Sequence, residues 1–544
     1  MSSPDRSFDL IDQPWIQLRM LDGSVGECSL TETFRRAHQA SGIVGEISTM
    51  TFAITRLLLA ILHRAVDGPV DIEHWTALWA EEILPDEAIC RYLDTHRARF
   101  DLLHPVTPFY QVADLRSAKN ETSGLERLIA DIPNGIAYFS NRSGTALESI
   151  GYAEAARWLV HAQAYETAGI KTGAVGDDRV KSGRGYGIGT GWCGNIGGLL
   201  MEGATLRETL LLNLIAESSK YIQVDSDDLP VWERAPHTAS EEVTGGRTSR
   251  GPLDSYTWQK ARIHLVESDG RITQVLMCNG DRATLHNQHL REPMTGWRRS
   301  ANQEKNLGLP LVYMPRVHTS ARAMWRGIAA LLPSRVGNVQ RADGADRLVP
   351  GVVSWISELR ADGALLDDQI VRARAYGLEY GTQSAVITEI LDDAISVHIA
   401  LLNESAVVLG EQIELAVQRA DNAVWSLGVL AADVATAAGG EVDGPKTRAV
   451  EAGHAALDGP FRSWVTSLKA DSDPLAARTA WDTTAQSIVT AIARDIVESA
   501  PASSMVLRPP RKICTPMAEN EFRSRMRKIY ADHATTTTEE NKAR

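Results

Sequence analysis

Lys171, Arg179, Lys181 and Arg184 are interleaved with glycines in the stretch GIKTGAVGDDRVKSGRGYGIGTGWCGNIGGLLMEG, residues 169–203. Glycine admits left-handed backbone and lets amide N–H groups approach a ligand closely, so such a run can converge donors on an anion or a base edge. The cations add the charge that attracts phosphate. A surface loop that merely turns often is the competing reading of the same composition. Phe139-Ser140-Asn141-Arg142-Ser143-Gly144 joins an aromatic, an amide and a guanidinium on an expected loop. Asparagine can bond base edges, and arginine can take a phosphate or a guanine. In Tyr380-Gly381-Thr382-Gln383-Ser384 the Gln383 side chain could project as a wedge, and a further basic set, Arg508 to Lys528, lies near the C-terminus. Taken singly, each of these also reads as polar surface.

Motifs for catalysis are missing where an enzyme would need them. Gly189-Thr190-Gly191-Trp192-Cys193-Gly194 matches GxGxxG, but what precedes it is glycine-rich, not the apolar strand that a dinucleotide fold requires. Residues 439–447, GGEVDGPKT, superficially resemble a phosphate loop. Pro445 removes an amide that such a cradle uses, and the segment reads as a linker. The fourteen histidines contain no HExxH, and His286 and His289 have no evident third ligand beside them. Cys193 has no evident base, and Asp177-Asp178, Asp227-Asp228 and Asp392-Asp393 read as solvated carboxylates. No residue is nominated as catalytic or as a metal ligand, and no cofactor is expected.

The elements that must position these residues follow from periodicity. A chain of 544 residues is too long for one core, so two or three domains are expected. The net charge of -13 argues against a general nucleic-acid coat, so any nucleic-acid contact must be local. Five scattered cysteines without a CxxC pair fit a reducing cytosol. The run Leu57-Leu58-Leu59-Ala60-Ile61-Leu62 is too short to span a bilayer. A hairpin is expected around Asp22-Gly23, and another where 262–267 and 271–278 flank Ser268-Asp269-Gly270. Helical spacing runs through 45–66, a helix begins near Asp71, and shorter helices are expected at 153–164 and 206–218. From 384 to 438 the chain is rich in Ala, Leu, Val and Glu with almost no Gly or Pro, and helical character returns at 447–468, 474–497 and 519–533. The fold class is therefore α+β: a mixed domain, 1–380, then a helical bundle, 384–533, then a disordered tail, 534–544.

Together these residues resemble the CasA family, the large subunit of the type I-E CRISPR surveillance complex, Cascade. Leu10-Ile11-Asp12-Gln13-Pro14-Trp15-Ile16 is similar to the family's N-terminal signature, and Pro108-Phe109-Tyr110-Gln111 to its PFxQ segment. Phe139 and Asn141 match the aromatic and the amide of its first DNA-contacting loop, with Arg142 beside them. Gly169, Lys171 and Gly173 stand where its glycine loop approaches the protospacer-adjacent motif (PAM), and Gln383 matches its glutamine wedge. The family's lysine finger has no lysine counterpart, and Arg282 is the nearest basic residue. Some members carry a cysteine-rich zinc site, for which this chain has only Cys278.

The resemblance implies a cytoplasmic, non-enzymatic subunit with a C-terminal four-helix bundle. Its partners would be double-stranded DNA at the PAM, the other Cascade subunits with their guide RNA, and a helicase-nuclease recruited later. It implies no membrane partner. Two alternatives stay open: an enzyme holding a nucleotide cofactor in the glycine run, and a purely structural scaffold.

Overall fold

Fifteen consecutive residues, Thr49 to His63, are buried in the helix Ser48–Ala65. A helix buried on every face has to be enclosed on every side, and the helices Asp86–Thr95, Tyr152–Tyr165 and Pro252–Tyr256 pack against this one. The computed structural model describes residues 7–132, 148–332, 345–510 and 512–531. It divides into two compact units, residues 1–322 with 337–394 and residues 323–336 with 395–544. No helix among the described residues is long and apolar enough to cross a membrane.

The first unit mixes helices with small antiparallel sheets. Its N-terminal hairpin pairs Ile16–Met20 with Val25–Cys28, and Ala40–Val44 adds a third strand. Asp22 closes the turn by accepting from the Ser24 amide at 2.9 Å, and Gly23 takes φ 86°. Asp71 caps the helix Ile72–Ala80, as its sequence position requires. The expected second hairpin pairs Ala261–Ser268 with Arg271–Asn279 in antiparallel register. A three-stranded sheet orders Ile387–His398, Ile370–Tyr380 and Gly198–Glu202.

That sheet corrects one expectation. Residues 387–398 form a strand, and the long helix begins only at Val407. Low Gly and Pro content suits either element. In ITEILDDAISVH the β-branched Ile387, Thr388, Ile390, Ile395 and Val397, with Ile395 and Val397 buried two apart, favour the strand. The boundary between the units accordingly falls inside this strand, after Ala394.

In the second unit the helices Val407–Ala438, Asp443–Ser467, Pro474–Glu498 and Thr515–Ile529 form the bundle. Gly439 ends the first in a left-handed cap, and Asp473 opens the third by accepting from the Ala476 amide at 2.6 Å. The expected linker at 439–447 is shorter than its composition suggests: Pro445 sits in the first turn of a helix, where its missing N–H costs nothing. No motif or periodicity in the sequence indicates that the turn Met324–Ala330 joins this unit. Trp325 is fully buried there, 4.9 Å from the Phe461 ring, and Phe461 meets Trp481 edge-on at 5.0 Å. The expected tail, 534–544, lies outside the described residues.

Three histidines in the first unit, His63 and His161 buried and His237 half-buried, make the fold acid-sensitive. Burial depresses His161 to about 3, burial with Arg64 depresses His63 to about 4, and burial with Arg262 and Arg234 depresses His237 to about 2. The unfolded chain then binds protons that the folded chain refuses, so stability is lost as pH falls from about 6.5. Melting temperature should drop steadily between about pH 6.5 and pH 4. His161→Gln, which leaves a partner for the Thr49 hydroxyl 3.0 Å away, should flatten part of that drop. An unchanged slope would remove His161 from the account.

Candidate nucleic-acid interface

The strands Ile370–Tyr380 and Ile387–His398 are joined by a tight loop, with Gln383 exposed within it. The Gly381 amide donates to the Val386 carbonyl at 2.9 Å, which closes the loop, and the Ser384 amide donates to Gly381 at 2.9 Å. Gln383 and Ser384 both take left-handed backbone, at φ 56° and 52°. Non-glycine residues adopt that region rarely and at a cost of about 1 kcal/mol or more. The base of the loop is anchored. The Tyr380 hydroxyl donates to the Tyr165 carbonyl at 2.8 Å, and the Ala168 amide donates to the Ser384 carbonyl at 2.8 Å. Gln383 is therefore a side chain at a hairpin tip, followed by a strand. No helix follows for it to cap.

The Ala168–Ser384 bond joins this tip to the start of the glycine run. Gly169 lies beside Ala385, 3.7 Å from where a Cβ would stand, so packing there does not require glycine. Two short strands, Lys171–Thr172 and Arg184–Gly185, form a hairpin that turns through Ser182 and Gly183, both at positive φ. Gly173 is needed within it, because a Cβ would meet Val180 at 2.4 Å and the Gly183 carbonyl at 2.9 Å. Farther on the run serves the interior. A Cβ on Gly191 would stand 2.3 Å from the Ala164 carbonyl oxygen, so the GxGxxG match marks close chain packing.

Lys171 is corrected. Its side chain is buried and paired with Glu166, with the Thr167 hydroxyl 3.3 Å away. Burial, with the nearby cations Lys260 and Arg127, pushes its pKa well below the ordinary lysine value. It is not a surface charge offered to a phosphate. Arg179 is also committed internally, to Asp177 at 2.9 Å, Glu241 at 3.0 Å and the Gly280 carbonyl at 2.9 Å. Lys181 and Arg184, at the hairpin turn, are exposed and form no ion pair among the described residues.

Arg282 is exposed just beyond the strand Arg271–Asn279. The Asn279 side-chain amide donates to the Tyr186 carbonyl at 2.7 Å and so ties this strand's end to the glycine hairpin. The fold thus gathers residues near 169–186, 279–282 and 383 into one neighbourhood. Phe139, Asn141 and Arg142 lie outside the described residues.

Behind Arg282, a cluster that no sequence motif announced brings His237, Glu242 and Asp281 together, their ligand-type atoms within 4.8 Å of one another. The carboxylates are already neutralised: Asp281 pairs with Arg262 at 2.7 Å, and Glu242 with Arg247 at 3.1 Å, Arg234 at 3.4 Å and also Arg250. Four guanidiniums would repel a divalent cation, so the group is an ion-pair network. Asp228, read from sequence as solvated, is buried and accepts from the Leu253 and Asp254 amides at 3.1 and 2.8 Å. Burial pushes the Cys193 and Cys278 thiols up to about 12, which removes them as nucleophiles near neutral pH. A cleft of about 60 Å³ lies between Glu166–Thr167 and residues 385–387. Nucleotide-sized ligands occupy sites of roughly 300 Å³ or more.

The sequence matches the family model described as CRISPR-associated protein Cse1 over residues 9–492. It is 31% identical over 341 residues to the CRISPR-associated protein CasA/Cse1 of Thermus thermophilus, an alignment covering 61% of each chain. The crystal structure of Thermobifida fusca Cse1 is similar with a TM-score of 0.90 and 42% identity, covering 97% of this chain and 99% of that one. A chain of a CRISPR RNA-guided surveillance complex shares the fold with a TM-score of 0.70 and 17% identity, over 96% of this chain and 100% of that one.

Proposed function

The chain belongs to the CRISPR-associated protein Cse1 family, and on that premise we propose that it is the non-catalytic large subunit of a type I-E Cascade. In this reading it recognises the PAM in duplex DNA, wedges the strands apart to start R-loop formation and helps recruit the helicase-nuclease. It works in the cytoplasm beside the other Cascade subunits and their guide RNA. The observation that carries the reading is Gln383, exposed at an anchored hairpin tip that is hydrogen-bonded to the start of the glycine loop. Base pairing with the guide supplies long-sequence specificity, so the protein needs to read only a short motif. Minor-groove readout is degenerate, and a few amides with one long cation such as Arg282 suit a motif that tolerates variants. The chain's net charge of -13 is compatible because the exposed cations lie locally and sister subunits can supply the wider attraction.

The test is duplex binding by the assembled complex, with and without the motif. Asn141→Ala should cost about 1–3 kcal/mol of discrimination if Asn141 reads a base bidentately. Arg282→Ala should weaken binding and, if it contacts phosphate, lower the salt slope by about one. Complexes in which both variants discriminate as the parent does would sink the assignment of these residues. A complex that binds duplex without regard to the motif would favour the scaffold reading.

A further inference from the structure

We infer that Tyr186, with Ile170 beside it and Lys181 and Arg184 at the hairpin turn, is a stacking platform for the unpaired DNA strand that wedging releases. This rests on the proposed function and names a second ligand for the same neighbourhood. Tyr186 is 55% exposed and Ile170 50% exposed, so two large apolar side chains face solvent on one small hairpin. They stand one step beyond the paired residues Lys171 and Gly185, which places them opposite each other across the hairpin. The Tyr186 carbonyl is held by the Asn279 side chain at 2.7 Å, so the root of the ring is fixed while the ring stays open.

Charge and spacing point to the occupant. Arg184 and Tyr186 are two apart in extended chain and so share a face, about 6–7 Å apart along it. A guanidinium can then hold a phosphate while the ring takes the adjoining base. Lys181 and Arg184 have no carboxylate partner among the described residues, in a chain with an excess of acid. A protein partner would more naturally cover such a surface with its own carboxylates, and a closed duplex has no free base face to offer the ring. An unpaired strand offers both phosphate and base face, and aromatic stacking on it is tolerant of sequence. The Ala168–Ser384 hydrogen bond sets this hairpin directly beside the Gln383 loop, where an opened strand would emerge.

The test uses the full chain, then the assembled complex, with a short fluorescent oligothymidine read by anisotropy and a closed motif-containing duplex as the second probe. Tyr186→Ala should weaken oligothymidine binding by about five- to hundredfold, whereas Tyr186→Phe keeps the ring and should stay within about twofold of the parent. Lys181→Ala and Arg184→Ala should each lower the salt slope by about one. Tyr186 is exposed, so all variants should melt with the parent. Motif-duplex affinity should not change in Tyr186→Ala. The platform is overturned if Tyr186→Ala binds oligothymidine as the parent does, if Tyr186→Phe falls as far as Ala, or if closed duplex is weakened equally. Loss of a sister subunit from the Tyr186→Ala complex would assign the surface to protein instead. Motif discrimination read at Asn141 and Arg282 can fail while oligothymidine binding persists, so the two readings fail separately.

Discussion

Arg56→Met should destabilise the first unit by about 3–5 kcal/mol, among the largest losses available to a single substitution in this chain. Arg56 and Glu292 are 1% and 0% exposed and meet through two parallel hydrogen bonds of 2.9 and 2.7 Å. Arg56 also donates to the Ser255 carbonyl at 2.9 Å, and the Trp192 indole N–H donates to the same Glu292 carboxylate. One ion pair therefore ties the central helix Ser48–Ala65 to residues 252–256, to the loop at 292 and to the end of the glycine run. Removing the guanidinium alone strands a carboxylate in the core. Removing both charges does not, so Arg56→Met with Glu292→Met should recover much of the loss despite altered packing. Chemical-denaturation midpoints of the two single variants and the double variant measure this. Losses that simply add would show that the pair is not coupled.

Gln383→Ala should slow strand opening in a motif-containing duplex by about tenfold to hundredfold, because unstacking one step costs a few kcal/mol. On a duplex already mismatched beside the motif, variant and parent should open alike. Equal rates on the intact duplex would rule the wedge out. Gln383→Gly separates function from fold. Glycine adopts φ 56° without the Cβ penalty, so the variant should be equally stable or more stable by about 0.5–1 kcal/mol, yet lose the wedge. A residue that strains its own backbone at an exposed tip has no stabilising reason to be glutamine, and this is the physical ground for assigning it work. If Gln383→Gly both destabilised the chain and opened duplex normally, Gln383 would be structural.

What the sequence determined by itself was local. Asp22-Gly23 and Ser268-Asp269-Gly270 announced two hairpins because left-handed turn positions accept few residue types. Apolar spacing announced the central helix, and Asp71 marked a helix start, since caps act within one turn. The order of motifs along the chain carried the family resemblance, which the match over residues 9–492 bears out.

Tertiary structure decided everything that depends on a distant partner. Residues 387–398 suited helix or strand until Ile370–Tyr380 lay beside them. Lys171 read as a phosphate ligand until the fold buried it against Glu166, while Lys181 and Arg184 in the same run kept their charges at the surface. Trp325 found its place against Phe461, more than 130 residues away in the chain. Composition records that a cation or a tryptophan is present. Burial, which sets whether its charge is free or its ring enclosed, arises only when segments remote in sequence exclude water from one another.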